Sequence, residues 1–158
     1  MMKIVGAIIL CFCSFLWGIE KSKEAKMKLL CVEGLMEFVK FAGEQISVFK
    51  APLPKIFEAF SNEELNACGF TDALKTEGAV AAVETLKGQI PIECYTEAES
   101  FARVLGNGYC EGQTELCRIT VSHLNELYEK LRDGLPGRVR VYRMLPVLLA
   151  ASVVILLI

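Results

Sequence analysis

The side chains with most chemistry to offer in this 158-residue chain are seven cysteines, at positions 11, 13, 31, 68, 94, 110 and 117, and a single histidine, His123. Their spacing does not suggest a metal site, because there is no CxxC pair and no zinc-ribbon interval, and a lone imidazole has no co-ligands in sequence. Nor do they suggest a local cysteine–histidine pair, since Cys117 precedes His123 by an interval that sets the two about 120° apart around a helix. What remains as nucleophilic chemistry is a thiol in or beside a turn, and Cys94 and Cys110 hold such positions. A membrane-anchored thiol enzyme using Cys94 or Cys110 is therefore the enzymatic alternative, although no residue in sequence supplies the base that would activate it. The simpler reading is that of reduced cysteines acting as small hydrophobes, with Cys31 and Cys117 on apolar helix faces.

Other chemical motifs are equally spare. The stretch GNGYCEG, residues 106–112, has GxGxxxG spacing with no following lysine and no preceding strand, so it reads as a helix–helix turn rather than a phosphate loop. Paired carboxylates such as Glu63 with Glu64 and Glu97 with Glu99 fall at helix starts and solvent faces. The formal net charge of −2 leaves no basic stripe for nucleic acid. No cofactor is implied. Binding and assembly, rather than catalysis, is the expected work.

The elements that would position such a binding surface begin at the two ends. Hydrophobic residues make up 53% of the chain, with charged residues still at 23%, and the apolar excess is concentrated in residues 4–19 and 144–158. Each run is interrupted by a single serine, Ser14 and Ser152. Both are short for a ~30 Å hydrocarbon core, but the last gains length from Val141 and Tyr142, with Arg143 reaching to the interface. Basic residues flank both runs on the side of the chain middle: Lys21, Lys23, Lys26 and Lys28 after the first, Arg138, Arg140 and Arg143 before the last. Trp17 and Tyr142 stand where interfacial aromatics belong. The positive-inside rule then places residues 20–143 in the cytoplasm and both termini outside. A cleaved signal peptide fits poorly, lacking a small-x-small cleavage site and followed by four lysines. The expected organisation is a membrane helix at 1–19, a body at 20–143 and a second membrane helix at 144–158.

Within the body, apolar residues recur at helical spacing from Met27 through Cys31, Gly34, Phe38, Phe41 and Val48, flanked by Leu30, Leu35, Ala42 and Ile46. This helix should stop near FKAPLP, because prolines forbid α geometry in the residues before them. PLPKIFEAF restarts one, with proline tolerated in the first turn. Ser61 with Glu64 and Thr96 with Glu99 read as capping boxes. Residues 71–87 look helical despite Gly78, and GQIPIECY reads as a break. Leu116, Ile119, Leu124, Leu127 and Leu131 stripe a helix over about 113–132, ended by DGLPG. The fold class expected is all-α, an antiparallel cytoplasmic bundle of about five helices between N-terminal and C-terminal membrane helices.

Read in order, the amino-terminal MKIVGAIIL, the EQISVFKAPLPKIFEAF segment, LGNGYCEGQTELC and the closing VRVYRMLPVLLAASVVILLI resemble the stage III sporulation protein AB family. Glu44, Ile46, Pro52, Leu53 and Pro54 match its first recurrent pattern, with Ala51 in place of a threonine. Leu105, Gly106 and Gln113 match the second, and Tyr142 with Arg143 the entrance to the last span. The family is similar to the F-type inner-membrane platform of type II secretion. The resemblance implies a non-enzymatic adaptor of the channel complex between mother cell and forespore, in the membrane surrounding the forespore, with its body in mother-cell cytoplasm. It also implies a cytoplasmic partner, the secretion-type ATPase stage III sporulation protein AA. Glu44, Lys50, Pro52, Leu53, Pro54 and Lys55 are the candidate partner-binding residues: the prolines preorganise a turn and the lysines flank it. The alternative, that this turn is only a connection between helices, stays open at this level.

Overall fold

The computed structural model describes the backbone of residues 2–157, and the side chains of 19–134 together with 13, 16, 137, 141, 144, 148 and 152. Among the described residues it is all-helical: α1 (Met2–Phe49), α2 (Leu53–Ala59), α3 (Glu63–Ala67), α4 (Phe70–Thr76), α5 (Ala79–Thr85), α6 (Ile92–Val104) and α7 (Cys110–Leu157). The chain divides into two units, Lys28–Leu131 and Met1–Met27 with Arg132–Ile158.

The unit Lys28–Leu131 holds a core arranged about one ring. Phe38, 1% exposed on α1, has its centroid 5.1 Å from Phe60, 5.4 Å from Phe70, 6.3 Å from Phe57 and 6.5 Å from Phe101, mostly edge to face. Edge-to-face geometry places the positive rim of one ring against the negative face of another and adds to the burial itself. Cys31, Val32, Leu35, Val39, Ala42 and Ile46 complete the inward face of α1. Where α1 must lie close to its neighbours, the residue is glycine. A Cβ on Gly34 would meet Asn62 Oδ1 at 2.9 Å, and one on Gly43 would meet the Cβ of Cys117 at 3.0 Å.

The helical body and the FKAPLP break follow the sequence pattern, whereas several local expectations are corrected. Met27 and Val48 are exposed, so the buried face of α1 is narrower than its apolar composition suggests. Ser61 does not cap α3; Asn62 does, its Oδ1 accepting from the Leu65 amide at 3.1 Å. Glu63 and Glu64 then fall in the first turn, where the helix dipole favours negative charge. Thr96 lies inside α6, which opens at Ile92 after Pro91, and its hydroxyl donates to the Ile92 carbonyl. The stretch 71–87 is two helices, because Gly78 at φ 96° takes a backbone conformation that ends α4 before α5 begins. Ile119 is 41% exposed while Gln113, Cys117, Thr120 and Leu124 are buried, so the buried stripe of α7 is rotated from the all-leucine one.

DGLPG does not end the last helix, since α7 runs from Cys110 to Leu157. One proline deletes one helical N–H and strains one carbonyl, at a cost of about 3 kcal/mol. The good helix formers of ELYEKLR precede this stretch, and the helix continues through Gly134, Pro136 and Gly137 and again through Pro146.

Among the described residues, no helix is long and apolar enough to cross a membrane. Most side chains of the runs 4–19 and 144–158 lie outside the described residues, and so do those of Trp17, Arg140, Tyr142 and Arg143. Lys21 and Lys23 are described: Lys21 pairs with Glu24 at 2.7 Å, and Lys23 is exposed.

Removing the central ring should be costly. Phe38→Ala is expected to destabilise the chain by about 3–5 kcal/mol, read as a shift in urea midpoint at constant slope. Ile119→Ala, on the outer face, should stay within about 0.5 kcal/mol.

Candidate functional site

The turn singled out by sequence is built where α1 stops. Lys50 adopts φ 48°, the described non-glycine residue in the left-handed region, and the Ala51 amide reaches back to the Gln45 carbonyl at 3.2 Å. A residue with a Cβ usually avoids that conformation, at a cost of about 1–2 kcal/mol. Pro52 then precedes α2 in an extended conformation and accepts from the Lys55 amide at 3.0 Å. Pro54 sits in the first turn of α2, where no helical N–H is needed. Lys50, Pro52, Pro54 and Lys55 are exposed, and Leu53 is half-buried.

A second segment joins this turn from across the fold. Leu53 packs on Gly106, whose imagined Cβ would meet Leu53 Cδ1 at 2.7 Å and whose φ is 92°, so both space and conformation demand glycine there. Gln113, only 6% exposed, holds the loop between α6 and α7. Its Oε1 accepts from the Gly106 amide at 3.0 Å, and its Nε2 donates to the carbonyls of Asn107 at 2.8 Å and Val104 at 3.4 Å. The Cys110 thiol donates to the Ile46 carbonyl at 3.2 Å. Together these contacts bring the start of α7 beside the end of α1.

The result is one tip carrying apolar surface next to cations. Val48 is 69% exposed, Phe49 68% and Tyr109 92%, and the exposed Lys50 and Lys55 belong to the same turn. Sequence reasoning assigned Val48 to the core and gave Phe49 and Tyr109 no role. The available signal was their placement, Phe49 as the last helical residue before a proline-rich turn and Tyr109 inside a glycine loop.

Glu44 is brought elsewhere. With Glu37, Lys40 and Phe41 of α1 and the segment from Ala59 to Ser61, it lines a groove of about 440 Å³. One wall is fixed by the Asn62 amide donating to Glu37 at 2.8 Å. Glu44 thus belongs to the side of α1, while the lysines and prolines belong to its end.

The thiol alternative is corrected at Cys94. It is 1% exposed inside α6, and desolvation with the nearby Glu93 charge pushes its pKa up to about 11, the opposite of an activated nucleophile. Burial likewise raises Cys117 to about 11. Cys110 is exposed, its thiol turned to the Ile46 carbonyl. His123 Nδ1 lies 3.0 Å from Glu97 Oε1, linking α7 to α6 at the surface. Among the described residues, no group of three or more His, Cys, Asp and Glu side chains is placed to hold a metal ion.

The described features of this helical body are thus a clamped loop, a proline-fixed turn and an exposed apolar tip. Residues 81–158, just under half of the chain, match the family model of stage III sporulation protein AB, a family whose name implies a role in sporulation. The matched stretch includes Leu105, Gly106 and Gln113, the residues that make the loop clamp. No curated protein matches the chain, and no solved structure does.

Two expectations follow. Gln113→Ala removes the side-chain partner of the Gly106 amide and of the Asn107 carbonyl, while the Val104 carbonyl keeps the Asn107 amide, and should cost about 1–3 kcal/mol, with hydrogen exchange at the Gly106 amide accelerating before that of the core. A buried thiol whose pKa is raised contributes stability that is complete below the unfolded value of 9.0 and is lost as pH rises toward about 11. The fall in unfolding midpoint between pH 9 and 11 should accordingly be shallower in Cys94→Ala than in the parent chain.

Proposed function

We propose that this chain is a non-enzymatic platform of the channel complex between mother cell and forespore, docking a secretion-type ATPase, stage III sporulation protein AA, to the membrane. The observation that carries this reading is the tip, where Val48, Phe49 and Tyr109 are exposed beside Lys50 and Lys55 on backbone already fixed by two prolines and the Gln113 clamp. Interfaces gain most from a few well-presented aromatic anchors, and a surface ordered before binding loses little entropy on docking. Lysines at its rim would steer an acidic patch on the ATPase. The left-handed Lys50 supports the same reading, because local strain retained at an exposed position is more common at functional sites than elsewhere.

The membrane attachment rests on the apolar runs 4–19 and 144–158 and on the basic residues that follow the first and precede the second. In this reading the body, residues 20–143, stands in mother-cell cytoplasm, and Trp17, Lys21, Lys23, Arg140, Tyr142 and Arg143 sit at the membrane interface. The protein's contribution is positional: it holds an ATPase at a set place relative to the channel.

The docking claim is tested by Lys50→Glu combined with Lys55→Glu, and separately by Phe49→Ala combined with Tyr109→Ala. Each pair is expected to leave unfolding within about 1 kcal/mol of the parent, to weaken association with the ATPase at least about tenfold, and to block sporulation after engulfment. Normal affinity and spore yield in both pairs would make the tip only structural. For topology, a membrane-impermeant maleimide should label the exposed Cys110 in lysed but not in intact mother cells. Labelling before lysis would place the body on the wrong side.

A further inference from the structure

Two thiols that the docking reading leaves unused face each other across the bundle. Cys31 Sγ on α1 lies 3.5 Å from Cys68 Sγ at the end of α3, although the residues are 37 apart in sequence. Cys31 is 2% exposed, whereas Cys68 is half-buried and can be reached from solvent. The other described cysteines differ in kind. Cys94 and Cys117 are buried, and Cys13 and Cys110 are exposed.

We propose that Cys31 and Cys68 are a modification site for hydroperoxide-class oxidants, converted to an intramolecular disulfide that staples α3 to α1. The position of Cys68 allows it. The residue caps α3 and is followed by Gly69 at φ 77°, around whose Cβ position nothing lies within 4 Å. Contracting the sulfur separation to a bond of about 2.05 Å therefore needs a shift of about 1.5 Å in a turn with free space beside it, while α1 stays in place.

The chemistry balances without any other group. The Cys68 sulfur attacks a hydroperoxide oxygen: an S–O bond forms, the O–O bond breaks, and the alcohol, or water from hydrogen peroxide, leaves with the thiol proton. The Cys31 sulfur then attacks the Cys68 sulfenic acid. An S–S bond forms, the S–O bond breaks, and the hydroxyl departs as water with the Cys31 proton. Two thiols lose two electrons and one hydroperoxide gains them. The order of the steps follows from the surroundings. Burial, with the neighbouring Cys68 thiol, holds Cys31 up at about 12, so it meets the oxidant only through its partner. In a reducing compartment the bond would be transient, as disulfides there usually are.

The test uses the full chain in detergent micelles, treated with hydrogen peroxide, quenched with N-ethylmaleimide and mapped by non-reducing peptide mass spectrometry. The expected product is a Cys31–Cys68 linked peptide pair within one chain, reversed by dithiothreitol, with Cys94 and Cys117 alkylated only after denaturation. The oxidised chain should melt at least about 5 °C above the reduced one, because the bond closes a long loop. In Cys31→Ser, Cys68 should instead accumulate as a dimedone-trapped sulfenic acid and pass to the sulfinic acid. Recovery of Cys31 as a free thiol while wild-type Cys68 is overoxidised, unreacted or joined to a different cysteine would overturn the proposal. The peptide map is read on the wild-type chain, so it decides the matter even if the serine variant folds poorly.

Discussion

The rest of the body depends on Phe38 being enclosed by four other phenylalanines drawn from three further helices. Phe57 and Phe60 come from α2 and its end, Phe70 from the start of α4, and Phe101 from α6. Helices as short as α2 to α5 have little stability alone, because nucleating a helical turn fixes several dihedrals for one hydrogen bond. They persist because each delivers an apolar side chain to a centre already organised on α1. Phe41, one turn along, repeats the arrangement with Phe60 at 5.7 Å.

Close packing at that centre imposes its own requirements on the periphery. Gly34 and Gly43 let α3 and α7 approach α1, and Asn62 serves two purposes at the crossing, capping α3 and donating to Glu37. The buried polar residue Gln113 is tolerated because both ends of its amide are satisfied by the loop it organises. Thr71 is different, a buried hydroxyl with no described hydrogen-bond partner. The exposed ion pairs, such as Arg118 with Glu115 and Lys130 with Glu126, are local helix pairs of small energetic weight.

The same packing explains why the cysteines have distinct chemistry despite similar sequence surroundings. Water is excluded from Cys94 and Cys117, and the neutral thiol is favoured there. Cys31 shares that environment but has a second sulfur for a neighbour. Burial is thus what separates cysteines that fill space from those that can react, and no spacing rule carries that information.

By itself the sequence determined the helical character of the body, the α1 break at the prolines, the glycine loop after α6 and the family resemblance, now supported through residues 81–158. These are readable because apolar periodicity, proline and glycine act through local sterics, which need only near neighbours. Only the tertiary structure decided which side of a pattern won. Asn62 rather than Ser61 caps α3 because its oxygen reaches the Leu65 amide while its nitrogen meets Glu37, a partner 25 residues away. Val48 and Ile119 turn outward because the faces of α1 and α7 that meet run through Gly43 and Cys117 instead. The tip that gathers Phe49, Lys50 and Tyr109, the separation of Glu44 into a side groove, and the approach of Cys31 to Cys68 are of the same kind. Each depends on contacts between segments far apart in the chain, and such contacts follow from how cores fill space rather than from any local signal.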